Sequence, residues 1–174
     1  MDNAFGRKLV PPFDPYANDT NFLLAAYFFP YIGLTGLVNA NTLLITPAAL
    51  SLLAGLLGVE AGIDAVIRTL LYERLNQAVT LYGVSVAEFT DRISDLRNRL
   101  GGAGVKDEAL VMPRDEGADG KVTGNVLSAG NDSLSYARTP QELLRILYGT
   151  GNESKPGGFF PNGTDGLLAN SFGM

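Results

Sequence analysis

The 174 residues hold thirteen Lys and Arg against eighteen Asp and Glu, a net charge of −5, and 46% are apolar, which suits one domain with a sizeable core. Cysteine and histidine are both absent, so these residues cannot form a disulfide, a thiolate or HExxH zinc site, a Glu-x-x-His di-metal motif or a Ser-His-Asp triad. The few bases are interspersed with acids, which argues against a nucleic-acid partner, because phosphate binding needs a basic patch.

The opening residues lack the apolar stretch of a secretory signal, so the chain as written carries no export address. Residues 1–18 read as a Pro-rich, extended lead-in, with Pro11, Pro12 and Pro15 each turning the preceding residue away from helix. Asp19 or Thr20 then caps a helix to about Val38, kinked at Pro30, where a backbone hydrogen bond is lost. Its segment NFLLAAYFFPYIGLTGLV nears the length of a bilayer span. Pro30, Gly33, Gly36 and the lack of basic flanks favour a buried core helix, so no membrane partner is expected.

Thr46 and Pro47 open a second helix, unbroken to about Tyr82, with Gly83 placed as a left-handed C-cap. Ser85 and Glu88 form a capping box for a third, which carries Phe89, Ile93, Leu96 and Leu100 at helical spacing and ends at Gly101-Gly102. Glu73-Arg74 and Arg92, Asp95, Arg97 and Arg99 read as a solvated face with local ion pairs. Residues 101–138 read as ordered loop. Thr139 and Glu142 box the start of a short helix through about Leu147, and the turn-rich tail that follows is pinned by Phe159 and Phe160.

The fold class is therefore all-α: a Pro-rich lead-in over 1–18, a helical core over 19–100, and a long irregular C-terminal region over 101–174 with one short helix. The second helix is apolar on more than one face, through Leu52, Leu56, Val59, Ile63, Val66 and Leu70 among others, more than a three-helix set can cover. Either the chain self-associates or it is part of a longer protein.

The segments PPFDPYANDTNFLLAAYFFPYIGLTGLVNAN, LLAGLLGVEAGIDAVIRTLLYER, YGVSVAEFTDRISDLRNRLGGAGVKDEALVMPR and RTPQELLRILYGTGNESKPGGFFPNGTDG resemble the C-terminal part of the plant desiccation-related, ferritin-like proteins. The resemblance covers nearly the whole chain. It implies a ferritin-like four-helix bundle, completed by a secretion signal and two preceding helices that this sequence lacks, and so an N-terminal half that is missing here. It also implies a secreted protein. Four sequons, at Asn18, Asn131, Asn152 and Asn162, agree with export and N-glycosylation.

Ferritin-like di-metal sites take a Glu from each of two helices and Glu-x-x-His from each of the others. The resemblance lays Val59-Glu60-Ala61-Gly62-Ile63 over a V-E-x-x-H pattern, so Glu60 keeps a vestigial ligand position while Ile63 stands in place of the histidine. A ligand glutamate of the preceding helix falls near Pro30. No metal, other cofactor or catalytic residue is therefore assigned. Asp64, one turn beyond Glu60 and four residues before Arg68, is expected to pair with Arg68 on the helix surface. Tyr27 and Tyr31 are placed to donate to a buried Glu60. The function expected is a non-catalytic, desiccation- or stress-associated protein with a degenerate di-metal site. Two alternatives stay open: a small-molecule enzyme using Glu60, Tyr27, Tyr31 and Asp64 around a bundle cavity, or a metal-binding protein completed by the missing helices.

Overall fold

The computed structural model describes residues 1–166 and Ser171. Among them the helices are α1 (Asp2–Phe5), α2 (Asp19–Ala26), α3 (Pro30–Ala40), α4 (Pro47–Tyr72), α5 (Val86–Gly101) and α6 (Pro140–Tyr148), with a two-stranded hairpin of β1 (Ala78–Val79) and β2 (Val84–Ser85) before α5. The fold is all-α in character, as the sequence implies, and the lead-in contains one helical turn.

The first expected helix is two. Pro30 cannot donate to the ladder, and the chain breaks over Tyr27–Phe29 before α3 starts with the proline at its first turn. The cap of α2 is Asn18, whose side chain accepts from the Asn21 amide at 2.9 Å, one residue ahead of the expected Asp19. The long helix ends ten residues early, at Tyr72 rather than Tyr82. Val79 and Val84 pair across the hairpin, and Gly83, at φ +70°, supplies its turn instead of a helix cap. Ser85 caps α5 through the Glu88 amide, but Glu88 turns outward to Arg92 at 2.7 Å and does not close the box. Thr139 and Glu142 do close theirs, and Gly102 and Gly149 end α5 and α6 in the left-handed conformation.

The core joins Leu24, Tyr27, Phe28 and Ile32 to Leu71 at the end of α4, to Val86, Phe89, Ile93 and Leu96 on α5, and to Ile146 on α6. Phe5 and Leu9 of the lead-in complete it. Phe159 packs on Phe28 and Phe29, with ring centroids 5.1 and 4.7 Å away, and both Phe159 and Phe160 keep part of their surface exposed. The middle of α4 contributes little: Leu52, Leu56, Val59, Ile63 and Val66 are exposed. Asp19–Ala40 and Pro47–Tyr72 are long and apolar enough to cross a membrane by length and composition alone, and half of the first is buried within the protein.

The Thr139 box predicts a measurable loss. Thr139→Ala should cost about 1 kcal/mol and lower the thermal midpoint by roughly 2–4 °C, read by calorimetry. An unchanged midpoint would show that α6 is held by packing alone.

Candidate functional site

Glu60 and Asp64 lie one turn apart on α4 yet meet different surroundings. Glu60 is half-buried at a groove of about 520 Å³ between α3, α4 and α6, among Phe29, Ile32, Leu37, Leu56 and Leu143. Its carboxyl rests on the backbone of Gly33, where a methyl group would come within 3.1 Å of Oε2, so the glycine makes room for it. Ile63 is 44% exposed, on the outer side of the same helix. Asp64 is 4% exposed, and its Oδ1 is buried with no hydrogen-bond partner.

The expected surface pair of Asp64 with Arg68 does not form. Arg68 is fully buried and turns its donors to backbone carbonyls of the irregular region: Nε to Val126 at 2.8 Å, Nη2 to Asn125 at 2.6 Å and to Glu108 and Ala109 at 3.1 Å. A planar five-donor guanidinium can serve several carbonyls at once, which a single carboxylate cannot outcompete here. Its remaining arm donates to the Tyr27 hydroxyl at 3.2 Å.

Arg97, read from the sequence as solvated, is also fully buried. It ion-pairs with buried Asp107 and donates to the carbonyls of Tyr27 and Phe28, at 2.8 and 3.1 Å, where the chain breaks between α2 and α3. Arg68 and Arg97 together enclose the two tyrosine rings, with all four guanidinium-to-centroid distances between 4.7 and 5.6 Å. A third buried cation, Arg138, donates to Asn98 at 3.0 Å and lies 3.8 Å from Glu142. Burial would push the Glu142 carboxyl up, but Lys106 at 2.8 Å and the Thr139 cap hold it below the ordinary carboxylate value.

The tyrosines do not serve Glu60. Tyr27 shares a 3.0 Å hydrogen bond with Ser94, and Tyr31 donates to the Lys106 carbonyl at 2.9 Å and to Ser128 at 3.2 Å. Burial pushes both phenols up, so neither exchanges a proton near neutral pH. Of the four expected cavity residues, Tyr27, Tyr31 and Asp64 are interior with the arginines, and Glu60 faces the groove. Sequence reasoning missed Arg68, Arg97 and Arg138. A signal existed for Arg97, which lies four residues after Ile93 and beside Leu96 on the apolar stripe of α5.

A di-metal centre does not fit this donor set. Among the described residues, no group of three or more Asp, Glu, His or Cys side chains is placed to hold an ion, and Glu60 has apolar neighbours in its groove. A family model described as a ferritin-like domain matches residues 3–73. The chain is 52% identical over 166 residues, 95% of its length, to the desiccation-related protein PCC13-62 of Craterostigma plantagineum, covering 53% of that protein. It is 55% identical over 172 residues, 99% of its length, to the ferritin-like catalase Nec2 of Nesocodon mauritianus, covering 55% of that one. Over nearly its whole length the chain is similar to plant desiccation-related, ferritin-like proteins. It spans about half the length of these curated relatives. No solved structure matches it.

Two outcomes follow from the interior. Burial pushes the Asp64 carboxyl up from its ordinary 3.8 to about 6, against the pull of Arg68. The folded state therefore holds the proton more tightly than the unfolded chain. The resulting stabilisation is full below pH 3.8 and is lost as pH rises through about 6. Asp64→Asn, which stays neutral, should be more stable than the parent at pH 7.5, by up to about 3 kcal/mol, and nearly equal at pH 4. Denaturant titrations at the two values check this. Arg68→Met removes a donor from four carbonyls and leaves those of Asn125 and Val126, among the described residues, with none, while Glu108 and Ala109 still accept from the Asn125 side-chain amide; it should cost about 3 kcal/mol, with limited proteolysis opening residues 108–126 first.

Proposed function

We propose that this chain is the helical portion of a desiccation- or stress-associated ferritin-like protein whose di-metal site has degenerated and whose role is not catalytic. The observation that carries the reading is the isolation of Glu60. It keeps the ligand position that the resemblance assigns, but apolar side chains and the Gly33 backbone surround its carboxyl, and Ile63 replaces the imidazole. The other buried groups are engaged in structure: Arg68, Arg97, Tyr27 and Tyr31 bond one another, buried hydroxyls and backbone carbonyls. An exported, N-glycosylated protein fits the reading, since Asn18, Asn131, Asn152 and Asn162 are all exposed. Neither nucleic acid nor a membrane enters as a partner.

The relative named a catalase supports a second reading, in which the family's peroxide chemistry persists here with ligands completed from outside these residues. One experiment separates the two. The purified protein is assayed for bound iron, manganese and zinc by mass spectrometry and for oxygen release from hydrogen peroxide. The first reading expects metal far below one ion per chain and no turnover, with Glu60→Gln indistinguishable from the parent. Stoichiometric metal, with turnover that Glu60→Gln abolishes, would establish the second.

A further inference from the structure

We infer that the Asp165-Gly166 bond is a site of spontaneous covalent rearrangement, in which the Gly166 amide nitrogen closes on the Asp165 side chain to a five-membered imide that water reopens to the β-linked isoaspartyl form. The sequence holds three bonds in which glycine follows an Asp or Asn: Asp119-Gly120, Asn162-Gly163 and Asp165-Gly166. Glycine has no side chain to obstruct attack of its nitrogen on the preceding side-chain carbonyl, so all three are chemically competent. Residue type alone does not choose between the two aspartates.

The fold separates them. The Gly120 nitrogen donates to the Gly117 carbonyl at 2.9 Å and the Gly163 nitrogen to the Phe160 carbonyl at 3.0 Å, so each is held in a backbone turn that must open before it reacts. The Gly166 nitrogen instead donates to Oδ1 of Asp165 itself, at 2.7 Å. That oxygen is bonded to the very carbon the nitrogen must attack, so the folded chain holds the reacting groups together. Thr164, the residue before them, is fastened to Tyr148: the two hydroxyls are 2.8 Å apart, and the Thr164 amide donates to the Tyr148 oxygen at 3.1 Å. Asp165 and Gly166 are exposed, and among the described residues nothing lies within 4 Å of where a Gly166 side chain would begin, so the ring has room to close and water can reach it.

The step balances with water as the sole co-reactant. The bond from the Gly166 nitrogen to Cγ forms, the nitrogen gives up its proton, and the hydroxyl of the protonated carboxyl leaves as water. Hydrolysis at one imide carbonyl restores Asp165; at the other it leaves the main chain running through Cγ, one methylene longer, with the α-carboxylate free. Because closure releases one water and reopening consumes one, drying shifts the pair toward the imide. None of this depends on whether the protein holds metal or acts on peroxide.

The purified protein is aged in mildly acidic buffer, folded and in urea, and isoaspartate at residues 119 and 165 is read by electron-transfer fragmentation in a mass spectrometer. Dividing each folded rate by its rate in urea removes the effect of neighbouring sequence. On that scale Asp165 should exceed Asp119 at least about tenfold, and Asp165→Glu, whose closure needs a larger ring, should abolish the signal at 165 alone. Hydroxylamine, which cleaves imides, should cut dried protein at 165-166 ahead of 119-120. Equal scaled rates, or the reverse order, would overturn the inference, as would dried protein that hydroxylamine leaves intact at 165-166.

Discussion

Buried backbone carbonyls need donors, and in this protein two buried arginines, Arg68 and Arg97, supply them where no regular element can. The C-terminal third has few ladders of its own, and its carbonyls at Glu108, Ala109, Asn125 and Val126 converge on Arg68. Arg97 does the same for the break that Pro30 forces between α2 and α3. Each guanidinium carries the positive charge into the interior at a desolvation cost that Asp107 and Glu142 offset for Arg97 and Arg138. The irregular region is thus an ordered layer keyed to the helices, and the two tyrosines between the cations are part of the key.

That layer explains why α4 has two characters. Its inner row, Leu53, Asp64, Arg68 and Leu71, is buried, with Arg68 against the tyrosines and the loop. Its outer row is apolar, and Glu60 lies at the boundary between the rows. Glu60 is consequently the one charged side chain of α4 that faces the groove, whereas Asp64, one turn on, is sealed inside. A helix rotates by about 100° per residue, so a four-residue step leaves two side chains some 40° apart, enough to place them on opposite sides of a packing edge.

Much of the fold was readable from local chemistry. Thr46, Ser85, Thr139 and the glycines at 102 and 149 act at the ends where their side chains or left-handed backbones are needed. The end of α4 was not readable, because Leu75, Val79 and Tyr82 continue an apolar pattern that a short hairpin satisfies as well as a helix does. The burial of Arg68 and Arg97 was hidden for a different reason. Local spacing offers each arginine a nearby acid, and only the distant loop at 107–126 reveals the stronger competition from carbonyls and from Asp107. The absence of imidazole beside Glu60 was visible from composition alone, and the structure adds the apolar walls around the remaining carboxyl.

Asn18 opens α2 with its side-chain oxygen, leaving the amide nitrogen of the same group free toward solvent, so the cap and an attached sugar use different atoms. Thr20, the third residue of that sequon, is in the opposite position: it is buried, and its hydroxyl accepts from Gln77 at 3.0 Å across the hairpin's edge. An enzyme that reads the triplet through its hydroxyl would find it only on the open chain. Any carbohydrate at Asn18 would therefore have to arrive before the helix docks, making the site a record of the order in which modification and folding occurred.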